Sequence, residues 1–106
     1  MTRNEDLRAS VRELRDLEAI RRFKARYCRL VDEGGWDELG EMFTADAVCD
    51  YGFFGRYEGR DRIVDGFFRG LVGPATSFNA HMVHNPEIDV HGDTATARWY
   101  LTAQTT

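Results

Sequence analysis

The sequence predicts a single α+β domain, with helices in its first two thirds and an antiparallel hairpin at its end. Three observations carry that expectation. Apolar residues recur in steps of three and four through the first 31 residues, the same spacing returns over residues 58–71, and residues 76–105 read as two strands about a glycine turn. With 106 residues, one modest core is what such a chain can build.

The first element is the clearest. Leu7, Val11, Leu14, Leu17, Ile20, Phe23, Tyr27, Leu30 and Val31 form one stripe, which predicts a long amphipathic helix. Glu33-Gly34-Gly35 ends it, because glycine accepts the left-handed conformation of a helix cap. A short helix follows in WDELGEMF, with Trp36, Leu39, Met42 and Phe43 facing inward. Ala47–Phe54 (AVCDYGFF) reads as a strand running into a glycine turn. EGRDRIVDGFFRGL then restores helical spacing through Ile63, Val64, Phe67, Phe68 and Leu71, and Gly73-Pro74 closes it. TSFNAHMVHNPEIDV and TATARWYLTAQT flank His91-Gly92-Asp93 as a hairpin. Pro86 has no N–H for the ladder and belongs at a bulge or an edge. In the last strand Ala95, Ala97, Trp99 and Leu101 share one face, and Thr94, Thr96, Arg98 and Tyr100 the other. The expected sheet has three strands and leaves its final edge open.

Composition narrows the function classes. Hydrophobic residues make up 42% and charged residues 30%, as in a soluble folded domain. No apolar run approaches the roughly 18 residues of a membrane span, and the charged first twenty residues lack a signal peptide's apolar core. A cytoplasmic protein without membrane contact is expected. The net charge of −4 divides into +4 over residues 1–31 and −8 over the rest. Glu13, Asp16 and Glu18 interleave with Arg12, Arg15, Arg21 and Arg22 as helical ion pairs, and the acidic body would repel phosphate. Nucleic acid is not an expected partner. Cys28 and Cys49 fall in different elements without C-x-x-C spacing, and read as buried free thiols.

Candidate chemistry centres on His81. Side chains alternate along a strand, so His81 and His84 point to opposite faces and cannot share a metal. No metal site is expected, and His91 belongs to the turn. His81 is either a satisfied core or surface histidine, or a base whose second ring nitrogen is held by a partner. Asp32 is the candidate partner, placed at a helix end where the macrodipole disfavours a carboxylate. Taken alone, it reads first as a solvated helix-end acid beside Glu33. Tyr27 lies on the apolar stripe, about 140° around the helix from Asp32, so periodicity does not join the two. Tyr51 and Asp50 have the same double reading.

Three stretches resemble a known family. DLEAIRRFKARYCRLVDEGGWDELGEMFTADAV, YEGRDRIVDGFF and AHMVHNPEIDVHGDTATARWYL are similar to the SnoaL-like members of the NTF2-like superfamily, and within it to the scytalone dehydratase and bile acid 7α-dehydratase branch. The resemblance spans residues 16–103. It implies three helices wrapped on a curved antiparallel sheet as a cone with a ligand pocket inside. It also implies catalytic roles for His81 and Asp32 as a dyad with Tyr27, and a pocket position for Tyr51. Trp99 and Phe54 join Tyr51 as expected substrate contacts. Three positions depart from the pattern. Ala103 stands where the bile acid dehydratases carry an acid, Val31 stands where scytalone dehydratases carry a tyrosine, and the family continues for two further strands. Residues 1–106 are therefore read as one domain that lacks its C-terminal strands.

The implied activity is a cofactor-independent lyase of dehydratase type, acting on a small hydrophobic, ring-containing, steroid- or polyketide-like substrate. Asp32 would fix the tautomer of His81, whose free nitrogen would take a proton from carbon, while Tyr27 or Tyr51 would bond the substrate oxygen. The same dyad would serve an isomerase, a cyclase or an elimination of halide. A different reading is a non-catalytic binding or subunit-assembly module, with the open sheet as an interface. A homo-oligomer, dimer or trimer, is expected in either case.

Overall fold

The structure is a computed structural model that describes residues 2–106. Its first element, α1 (Arg3–Glu33), begins at a capping box in which Glu5 N–H donates to Thr2 Oγ1 at 3.1 Å and Thr2 N–H donates to the Glu5 carboxylate at 3.2 Å. It ends where Gly34 adopts φ +71° and donates its N–H back to the carbonyls of Leu30 and Val31. The apolar stripe is buried only near this C-terminal end. Leu30 and Val31 are 2% and 4% exposed, whereas Leu7 and Leu14 are 63% and 64% exposed, since no other described element reaches them.

Helix α2 (Trp36–Gly40) follows directly and buries Leu39 completely. The expected strand Ala47–Phe54 is corrected to a shorter one, β1 (Val48–Asp50). Asp50 Oδ1 accepts the Gly52 N–H at 2.9 Å and turns the chain into a 3-10 turn at Gly52–Phe54. The chain then returns as β2 (Arg56–Glu58), antiparallel to β1 with Cys49 opposite Tyr57. Three residues are too few to show a period of two, so the sequence assigns Arg56 and Tyr57 to no element and counts Glu58 with the helical stretch that follows.

That pattern becomes a wide π-type helix, Arg62–Val72, which buries Ile63, Val64, Phe67 and Phe68. Gly73-Pro74 does not end it. Instead α3 (Gly73–Ala75) adds one more turn, and extended backbone at Thr76 terminates the run. Leu30, Val31, Leu39, Ile63, Phe67 and Phe68 make up the core. The Trp36 ring stacks on Phe68 at 5.6 Å between centroids.

The hairpin consists of β3 (Asn79–His91) and β4 (Thr94–Thr105), turned by Gly92-Asp93. His81 faces Ala103 and Val83 faces Leu101, until the register shifts between His84 and Glu87. Pro86 sits in this shift beside Asn85, whose φ of +53° is left-handed, as in a bulge. One extra residue reverses the alternation, so half-burial passes from Asn79, His81 and Val83 before the bulge, with Ala80 beside them, to Ile88 and Val90 after it. The expected three-stranded sheet is also corrected. Among the described residues, β1–β2 and β3–β4 are separate two-stranded sheets. The cone is accordingly represented by fewer strands than a complete one.

Candidate active site

Asp32 lies on the last turn of α1, one residue beyond the core positions Leu30 and Val31. The unfavourable helix-end dipole there is offset by two donors from β3. The His81 N–H donates to the Asp32 carboxylate at 3.0 and 3.2 Å to its two oxygens, and His81 Nδ1 lies 2.7 Å from Oδ1. The carboxylate accepts from a backbone N–H that fixes where the histidine stands. It also meets the ring nitrogen, which sets the ring's rotation and favours the Nδ1–H tautomer. The two side chains are 20% and 25% exposed. Nε2 has no hydrogen-bond partner among the described residues, and His81 lines a cavity of about 1000 Å³.

That cavity lies between α1, the π-helix and the inner face of the hairpin. Tyr27, Cys28 and Val31 contribute from α1, Phe67 and Phe68 from the π-helix, and Ala97, Trp99, Leu101 and Ala103 from β4. Tyr51 and Phe54 close it from the β1–β2 side. Its lining is mostly apolar with a few polar groups, the make-up of small-molecule sites. Tyr51 stacks on Phe67 at 3.9 Å between centroids, and Tyr27 meets Phe68 edge-on at 6.4 Å. Burial pushes the Tyr27 phenol above its usual pKa. Burial pushes Tyr51 further, and the neighbouring Tyr27 and Cys49 add to it. Both hydroxyls therefore stay protonated donors through neutral pH. The Tyr51 hydroxyl is buried beside Tyr27 and Cys49 and makes no well-formed hydrogen bond among the described residues.

Five of the residues singled out in the sequence, His81, Tyr27, Tyr51, Phe54 and Trp99, line this one cavity. Asp32 stands behind His81 rather than in the lining. His84 is exposed on the opposite face of β3, and His91 is exposed at its end. Among the described residues no three metal-ligating side chains gather. Cys28 is buried and Cys49 only half-buried, so the expectation of two buried thiols holds for the first alone. Two further lining residues are not among those singled out in the sequence. Asn79 anchors the start of β3 by donating to Thr76 Oγ1 at 2.8 Å. Lys24 places its ammonium 4.5 Å from the Tyr27 ring centre and 5.2 Å from that of Trp99. Its position on the apolar side of α1, amid residues that stripe that face, is the sign by which the sequence marks it.

Comparison with known proteins accords with this architecture. An uncharacterized protein of Mycobacterium tuberculosis is 33% identical over 89 residues, which cover 84% of this chain and 60% of that protein. This chain thus spans about 60% of the length of that relative. A scytalone dehydratase-like protein of Novosphingobium aromaticivorans superposes with a TM-score of 0.79 at 26% identity, over 88% of this chain and 62% of that one. An NTF2-like protein with a cystatin-like fold, also from Novosphingobium aromaticivorans, gives 0.75 at 31% identity, over 99% and 74%. The fold is NTF2-like α+β. Residues 12–106 match the SnoaL-like domain, and the chain belongs to that family.

Proposed function

We propose that the protein is a cofactor-independent lyase of dehydratase type, with His81 as its base and Asp32 as the residue that holds it. The observation that carries this reading is the 2.7 Å contact between His81 Nδ1 and Asp32, with Nε2 unpartnered and His81 in the wall of an apolar cavity. The similarity to a scytalone dehydratase-like structure supports the same class. Nε2 removes the proton from the carbon next to a carbonyl of a ring-containing β-hydroxy carbonyl compound. The C–H electron pair forms the new C=C bond, the C–O bond to the β-hydroxyl breaks, and the imidazolium proton leaves with that hydroxyl as water. Tyr51, whose hydroxyl makes no well-formed hydrogen bond among the described residues, and Tyr27 donate to the carbonyl oxygen as charge grows on it. The proposed setting is cytoplasmic. No helix among the described residues is long and apolar enough to cross a membrane.

The test is a screen of steroid- and polyketide-like β-hydroxy ketones for the absorbance of the conjugated enone, with His81→Ala as the control. Enone formation that depends on His81 is expected. Enone formation that persists in the variant removes the reading.

The protein is also proposed to self-associate as a dimer or trimer. Phe78, Met82 and Tyr100 lie on the outer face of the hairpin and are 54%, 41% and 71% exposed, an apolar patch suited to a second copy. Light scattering is expected to give twice or three times the monomer mass, and Tyr100→Asp to lower it. A strictly monomeric species at about 100 μM, far above the dissociation constants of ordinary dimers, would contradict the proposal.

A further inference from the structure

Charge in the cavity is one-sided. Two of its lining residues are cations, Lys24 and Arg98, and none is an acid, although the chain as a whole carries −4. Arg98 is exposed and belongs to the rim, whereas Lys24 is half-buried. The helix offers Lys24 no counter-ion, since Ile20, Arg21, Tyr27 and Cys28 occupy the positions three and four residues away. No ion pair or side-chain hydrogen bond involving Lys24 forms among the described residues, unlike Arg22, Arg29 and Arg69, which all pair with carboxylates. The aromatic faces of Tyr27 and Trp99 hold the ammonium instead. Such contacts orient a cation while leaving its N–H donors free.

We infer that Lys24 is an anion-recognition residue, and that the cavity takes an elongated, apolar, ring-containing ligand bearing an anionic oxygen group at the end remote from His81. Two independent lengths support the spacing. Lys24 is eight residues from Asp32 on α1, about 12 Å along the helix. Trp99 is four residues from Ala103, the partner of His81, about 13 Å along the strand. A ligand engaging both ends is three or four fused or linked rings long, with its anion at one end and its reacting carbon at the other. This deepens the dehydratase reading and rests on it for the reaction. The recognition of an anion stands on the cavity's charge alone. Carboxylate and sulfate ends satisfy the same site.

The test uses two probes with one ring skeleton, 8-anilinonaphthalene-1-sulfonate and the neutral N-phenyl-1-naphthylamine. Binding is followed by probe fluorescence in the wild type, Lys24→Gln, Lys24→Arg and Arg98→Gln. Lys24→Gln is expected to weaken the sulfonate probe about tenfold, the scale of a partly exposed charge-assisted contact, and to leave the neutral probe within about twofold. Lys24→Arg should restore the sulfonate preference, and Arg98→Gln should have a smaller effect than Lys24→Gln. Equal weakening of both probes in Lys24→Gln, or no change in either, overturns the inference. Far-ultraviolet circular dichroism establishes that each variant is folded. Neither probe can be dehydrated, so failure of the dehydratase reading leaves this result standing. Absence of probe discrimination likewise leaves turnover by His81 standing.

Discussion

Replacing His81 with alanine is expected to lower dehydration of a ring-containing β-hydroxy ketone by ~10²–10⁴-fold, the contribution of a positioned general base. The loss should fall on kcat more than on KM, because the ring meets the reacting proton only in the transition state. Asp32→Asn tests the other half of the pair. An asparagine keeps the size of the side chain and can still accept one N–H. Its amide carries no charge and, turned either way, sets an NH₂ against a His81 donor that Oδ1 or Oδ2 of the carboxylate accepts. The imidazole then loses the restraint on its tautomer, and kcat should fall by about 10²-fold or more. The sharper contrast lies between the two variants taken together. Residues acting as one unit do not add, so the double variant should be scarcely slower than His81→Ala alone. An additive double variant would mean that Asp32 acts on something other than His81.

The largest effect on stability is expected at Phe68. It is 2% exposed and joins the core cluster of Leu30, Val31, Leu39, Ile63 and Phe67. Its ring also stacks on Trp36 and meets Tyr27 and Tyr51 edge-on. Phe68→Ala removes the shared contact of α1, α2 and the β1–β2 side, and should cost about 3–5 kcal/mol by chemical denaturation. A core this small cannot spare that amount, so the variant should be largely unfolded at 37 °C. Phe53→Ala is the comparison, since Phe53 is 97% exposed and its loss should leave the denaturation midpoint unchanged. A mild effect at Phe68 would show that the core does not depend on this aromatic junction.

How much of this was legible in the sequence depends on whether one element or two define each feature. The stripe from Leu7 to Val31, the glycine stop after Glu33 and the turn at Gly92 are properties of single segments, and the structure has each of them. Pro86 announced the bulge because its missing N–H is a local fact. The β1–β2 hairpin was not legible, since three-residue strands carry no period and their pairing is a tertiary matter. Four of the nine stripe residues of α1, Leu7, Val11, Leu14 and Phe23, stand exposed. Periodicity reports that a face is apolar, not that something covers it. The site divides in the same way. On a helical wheel Tyr27 and Asp32 diverge by about 140°, and only β3 reconciles them. His81 belongs to the cavity that Tyr27 lines, while its Nδ1 reaches sideways to Asp32. The Tyr51 hydroxyl's lack of a well-formed hydrogen bond and the seat of Lys24 between two rings depend on contacts across elements, which no spacing in one segment encodes.

The central claim is that Asp32 holds His81 with its proton on Nδ1 and its Nε2 free toward the cavity. Long-range ¹H–¹⁵N NMR of the histidine rings tests it without a substrate, with His81 assigned by the signals that vanish in His81→Gln. At alkaline pH, where a histidine ring is neutral, His81 should show a protonated Nδ1 and an unprotonated Nε2. The other tautomer prevails in free imidazole side chains, and in Asp32→Asn the signals should move toward it. A wild-type His81 with its proton on Nε2, unchanged by Asp32→Asn, would contradict the account.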